Sequence, residues 1–395
     1  MKKRLSFAIL FALSMPAAVW ADDQPAASAD TPAAPTALPT PSMSASLSAN
    51  PNPISIDLGP LGKTYVGGAI SLLGFEQNHS LPSPDKDGRI DASNAQVFLQ
   101  KTDGVLQYYV QLGGYSFPTV GTPYMKATDT ATALYGYAPV AYLKLVPNAN
   151  FSLQLGKLPT LIGAEYSFGF QNLNIERGLL WNQENVVTRG AQANYTNGPV
   201  ALSVAVTDGF YSNRYSWVSA SLAYTFDPSN ILSFIAGGNT KRTAYSSSAT
   251  PLLLNNEQIY NVFYTHLAGP WTWQGYLQYS RVPASTKIGT VREASTWGGA
   301  VLANYQVSST FNLAGRIEYL GTNGNPADGT PNLLYGPGSS AWSATITPTW
   351  QWQRFFTRVE LSYIKASSAV PGYVFGDSGT RTSQARALVE AGVLF

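Results

Sequence analysis

From about residue 62 to the last residue, apolar side chains recur at every second position in segments of roughly ten residues. In FNLAGRIEY, Phe311, Leu313, Ile317 and Tyr319 share one face, and Asn312, Arg316 and Glu318 share the other. FFTRVELSY sets Phe355, Val359, Leu361 and Tyr363 opposite Arg358, Glu360 and Ser362, and WTWQGYLQYS sets Trp271, Trp273, Leu277 and Tyr279 opposite Thr272, Gln274 and Gln278. Successive side chains of a strand point to opposite faces, so each segment reads as a strand with one apolar face. The alternation runs to the very end, RALVEAGVLF, with Ala387, Val389, Ala391, Val393 and Phe395 in one row. A terminal strand frays in water and gains nothing from such a row unless something covers it.

The pattern predicts strands over 63–73, 94–101, 105–114, 132–146, 151–157, 187–196, 200–208, 217–226, 231–237, 258–267, 271–282, 295–306, 311–320, 341–350, 355–365 and 384–395. The count is about 16, within a range of 14 to 18. Gaps between them alternate. Short ones such as TDG, NAN, NGP, DPSN and AGP are rich in turn formers, and most of the others are much longer, as at 158–185 and 321–340. Such asymmetry distinguishes two ends of one object. It predicts an all-β chain: a transmembrane antiparallel barrel over 61–395 with short periplasmic turns and long extracellular loops.

A water-soluble sandwich shows the same alternation with its polar side outward. Composition separates the two, because 45% of residues are hydrophobic and only 12% are charged, against about 25% in soluble domains. Aromatic residues gather near strand ends, as interfacial girdles require, and closure removes sheet edges altogether. Lipid would then cover the terminal row. No stretch is long and apolar enough for a membrane-spanning helix after the N-terminus.

Lys2, Lys3 and Arg4, the apolar run Leu5 to Leu13 and the small residue Ala21 predict a cleaved signal peptide over 1–21. Its removal leaves 21 basic residues against 22 acidic ones, so the mature chain is near neutral and nucleic acid is not an expected partner. Residues 22–60 are rich in Pro, Ala and Ser and predict a flexible periplasmic linker, with entry of this segment into a pore as the alternative. Cysteine is absent and histidine occurs only at His79 and His266, neither in a nucleophile motif, so no enzyme and no cofactor are expected.

The C-terminal strand ending in Phe395 resembles the signal that outer-membrane porins present to the barrel assembly machinery. LQLGKLPTLIGAEYSF, with Gly156, Lys157, Thr160 and Gly163, followed by VTRGAQANY, resembles the OmpL-like β-barrel porins. That resemblance implies the outer membrane of a Gram-negative bacterium, passive diffusion of small hydrophilic solutes, a homotrimer, and a third external loop folded into the barrel.

About 16 strands leave an aqueous channel, whereas eight would be filled by side chains. If the loop 158–185 folds inward, its Glu165, Glu176, Arg177 and Glu184 narrow the pore against a wall carrying Arg316, Glu318, Arg358, Glu360, Arg386 and Glu390. Mixed signs at similar depth predict mutual pairing and weak ion selectivity. Lys157 and Arg189 have outward phase. SPDKDGRIDASN offers Asp85, Asp87 and Asp91 to a divalent cation, but Ser83 and Asn94 stand where a calcium loop needs acids, so no metal site is expected. The alternative to a channel is a barrel that displays its long loops for adhesion or binding.

Overall fold

The computed structural model describes residues 46–50, 52–82 and 85–395. The signal 1–21, most of the linker and Ser83 lie outside the described residues. A short strand β1 (Ile54–Asp57) precedes β2 (Lys63–Gln77), β3 (Gly88–Lys101), β4 (Leu106–Tyr115), β5 (Val140–Asn148), β6 (Phe151–Pro159), β7 (Val187–Asn197), β8 (Val200–Thr207) and β9 (Trp217–Asp227). There follow β10 (Asn230–Asn239), β11 (Gln258–Ala268), β12 (Trp271–Val282), β13 (Ala294–Gln306), β14 (Phe311–Thr322), β15 (Ser340–Trp352), β16 (Phe355–Ser367) and β17 (Ser383–Leu394). Each strand from β2 onward pairs antiparallel with the next, and β17 returns to β2 from Arg386↔Gln77 to Leu394↔Ala69. Sixteen strands therefore close on themselves, and no barrel strand keeps an open edge along its length.

The alternation is inside-out relative to a soluble sheet. Ile317 is 67% exposed and Leu277 63%, while their lumen-phase neighbours Arg316, Glu318 and Gln278 are buried. A closed apolar belt of this extent is covered by hydrocarbon. Aromatic rings border it at two heights on β11–β16. Trp271 meets Tyr305 at 4.5 Å and Phe311 meets Trp350 at 4.6 Å at the short-turn end, and Trp297 meets Tyr319 at 5.1 Å toward the long loops.

The last residue completes the seam. Phe395 exchanges backbone hydrogen bonds of 2.8 and 3.1 Å with Gly68, and its ring lies over that glycine, where a Cβ would come within 2.2 Å of it. β1 then continues along the same edge of β2, from Ile54↔Val66 to Asp57↔Lys63.

Three expectations need correction. The strand expected to start at 132 starts at Val140, because Ala127–Tyr135 coils into a short helix that widens after its first turn, over Ala131–Tyr135. Asp91 anchors it by accepting hydrogen bonds from the Ala127 amide (2.9 Å) and the Tyr124 hydroxyl (3.0 Å). Residues 88–93, read as part of a polar loop, already belong to β3, with a register shift opposite Ser71–Leu73. β1 was not expected at all.

Candidate functional site

The connection between β6 and β7, residues 160–186, lies inside the barrel. Its Ile162, Leu173, Ile175, Leu179 and Leu180 are buried against lumen-facing side chains, each worth about 1.5–3 kcal/mol. Apolar burial therefore brings the loop inward, and the polar contacts fix its register.

Those contacts lie on β14–β17. Glu360 accepts from the Ile175 and Glu176 amides, the latter at 2.9 Å, and Glu318 accepts from the Leu179 amide at 2.7 Å. Gly178 permits the second approach, since a Cβ there would stand 2.2 Å from Glu318 Oε2. Arg316 pairs with Glu165 of the loop at 2.6 Å and with Glu318 at 3.1 Å. Arg358 holds Glu390 and also donates to the Gly169 and Asn172 carbonyls at 3.2 Å each. Arg386 holds Glu176. All of these groups are buried, so each charge has its partner in place of water.

The opposite wall has no such load. On β6–β8, Gln154, Gln192, Asn194 and Ser203 form a chain of amides and hydroxyls, in which Asn194 Oδ1 accepts from Ser203 at 2.8 Å and from Gln192 at 2.7 Å. Two cavities flank the loop. One of about 300 Å³, in the short-turn half, is lined by Gly163, Ser221, Ser233, Thr265 and Gln274. The other, about 270 Å³ toward the long loops, is lined by Glu184, Trp181, Phe117 and Phe210.

Gly163 and Glu184 stand between them. A Cβ on Gly163, whose φ is +88°, would fall 1.7 Å from Glu184 Oε2, so the two residues are in direct contact. Tyr276 donates to Glu184 Oε1, while Glu184 Oε2 has no hydrogen-bond partner. Burial pushes the Glu184 carboxyl up to about 8; the Tyr276 hydrogen bond opposes the rise, and Glu165 and Glu318 add to it. Glu257, just before β11, is also raised by burial and then by Glu184.

A family model described as Putative beta-barrel porin-2, OmpL-like, matches residues 65–395. The chain belongs to this family. An anion-selective porin from Comamonas acidovorans superposes with a TM-score of 0.56 at 12% identity, over 84% of this chain and 99% of that one. The outer membrane channel DcaP of Acinetobacter baumannii gives 0.56 at 11%, over 84% and 97%. The in-vitro folded outer membrane protein OmpT of Vibrio cholerae, in its trimer form, gives 0.55 at 10%, over 84% and 99%. Identities this low show a shared fold. No curated protein matches the sequence.

In this OmpL-like porin the acids and arginines expected to line water mostly bind the loop to the wall. Arg177 is fully buried, donating to the carbonyls of Pro118 (3.1 Å), Tyr166 (3.3 Å) and Ser167 near the Phe117 and Trp181 rings. Lys157 and Arg189 sit on the outer face near the long loops, Arg189 paired with Asp208 at 2.7 Å. Asp85 accepts from Gln77 and the Leu81 amide, Asp91 from the helix, and among the described residues no cluster of His, Cys, Asp or Glu is arranged to hold a metal. Asp87 lies in the turn just before β3.

Tyr276, Gln278 and Asn261 were not singled out as site residues, although they form the wall behind Glu184. Asn261 donates to Gln278 at 2.9 Å, and Gln278 donates to the Leu180 carbonyl at 2.9 Å. Strand phase marks all three as lumen-facing, but phase does not say which lumen residues meet the loop.

Proposed function

We propose that this porin is a passive channel of the bacterial outer membrane for small hydrophilic solutes, preferring uncharged ones. The observation that carries this is the contact of Gly163 with Glu184, which stands between two cavities in a barrel where Glu165, Glu176 and Glu390 are paired with Arg316, Arg386 and Arg358. A solute meets hydroxyls, amides and one carboxyl held largely neutral by burial. The short turns face the periplasm, where Phe395 serves barrel assembly, and the long loops face outward. No catalytic group is invoked.

A homotrimer fits the outer surface. The exposed aromatic residues of the strands lie on β6–β16, whereas Ala387, Val389 and Ala391 on β17, Ile70 and Leu72 on β2, and Ala95 and Val97 on β3 form a face of small and aliphatic residues suited to a second copy. Single-channel recording of the detergent-folded protein in a planar bilayer tests the channel. Stable openings altered by Glu184→Ala support it. A folded, inserted barrel that never conducts sinks it and leaves loop display for adhesion as the function.

A further inference from the structure

Ser46–Asn50 lie inside the barrel at the short-turn end. The Ser48 amide donates to Gln351 Oε1 at 2.7 Å, and Gln351 Nε2 donates back to the Ser48 carbonyl at 2.8 Å, so one side-chain amide on β15 pairs with the backbone as a neighbouring strand would. Two residues deeper, Asn312 Nδ2 on β14 donates to the Ser46 carbonyl at 3.2 Å, and the Thr349 and Ser46 hydroxyls are 3.4 Å apart. Ser46 Oγ also donates to the Leu173 carbonyl at 3.3 Å, which joins the segment to the inward loop. Leu47 is buried in the apolar cluster that includes Phe98, Phe170, Phe356 and Leu394.

These contacts climb the wall in chain order. Gln351 is near the end of β15, Thr349 is two residues further in, and Thr347 beyond it holds Asn174 of the loop at 2.7 Å. β1 explains how the chain enters, because it extends the β17 edge of β2 at the barrel's mouth. Backbone pairing plus one apolar side chain is how an extended peptide docks in a groove.

We infer that the segment immediately before β1 is a resident ligand of the porin's own lumen, docked from the periplasmic mouth beneath the loop 160–186, and that it narrows the passage there. This rests on the channel reading for its consequence but not for its location. It lies against β14 and β15, whereas the 300 Å³ cavity is bounded by β9–β12, so the segment constricts without sealing.

The test uses the full-length chain, which has no native cysteine, carrying Ser46→Cys with Thr349→Cys. Mild oxidation is expected to give one intramolecular disulfide, because the segment is already in place. Removing residues 22–50 is expected to raise conductance about twofold, and Gln351→Ala, which keeps the segment but removes its backbone partner, to raise it in the same direction. Failure of the two thiols to join, or equal conductance with and without the segment, would overturn the inference. If no form conducts, the channel reading falls, and the disulfide still decides where the segment sits.

Discussion

Glu184 carries the most informative single charge, because burial leaves its carboxyl mostly neutral at ordinary pH. Its affinity for a proton rises from the ordinary 4.5 to about 8 on folding. The docked loop therefore favours the protonated form: its docking is at full strength below the ordinary value and weakens as pH rises through about 8. The ionised carboxylate would also draw cations into the contact with Gly163. Reversal potentials in a salt gradient should become more cation-preferring between pH 6 and pH 9, and Glu184→Gln should flatten that dependence; a wild-type response already flat across this window would refute the assignment. Gly178→Ala tests the other side of the loop. The new Cβ would push Glu318 off the Leu179 amide, and overpacking of this kind costs about 1–3 kcal/mol, which should appear as new protease cleavage within 160–186. Neither effect was readable from local sequence, since Glu184 meets Tyr276 across 92 positions and Glu318 meets Leu179 across 139.

Individual strands, by contrast, were written plainly. β12 runs over the residues the alternation gives it, 271–282, because AGP before it and Pro283 after it interrupt the pattern at both ends. The helix at 127–135 escaped because TDTATALY alternates Thr and Ala much as a strand would, and the Asp91 carboxylate that anchors it lies on another element. β1 escaped because four residues are too few to show a period. The same phase rule makes a quantitative demand on β14. Ile317→Lys puts a charge on the lipid face and should cost about 2–4 kcal/mol in urea titrations of folding into bilayers, while Ser203→Lys on the lumen face of β8 should cost little. Equal costs at the two sites would mean the barrel is not inside-out.

At the scale of the whole barrel, the ion pairs sit on β14–β17 and the loop they hold, and a wall of amides and hydroxyls lies on β6–β8. Glu165, Glu176, Glu318, Glu360 and Glu390 face Arg177, Arg316, Arg358 and Arg386 in one buried band, five carboxylates against four guanidiniums, so the band is within one charge of neutral. Opposite charges held at hydrogen-bond distance cancel within a few ångströms, well inside the roughly 8 Å over which physiological salt screens what remains. In the proposed channel, an ion passing Gln154, Gln192, Asn194 and Ser203 would therefore feel amide and hydroxyl dipoles more than a fixed field. The potassium-to-chloride permeability ratio near pH 6 should accordingly lie between about 1 and 3, because no unpaired ring of one sign lines the passage. Uncharged sugars of monosaccharide size should swell proteoliposomes at least as fast as amino acids bearing a net charge. Gln192→Arg then supplies the fixed charge that the wild type lacks, and should turn the preference toward anions without disturbing the loop on the far wall. A wild-type ratio above about 10, or a Gln192→Arg channel with the wild-type ratio, would show that solutes follow the charged band and that the neutral wall is not the passage.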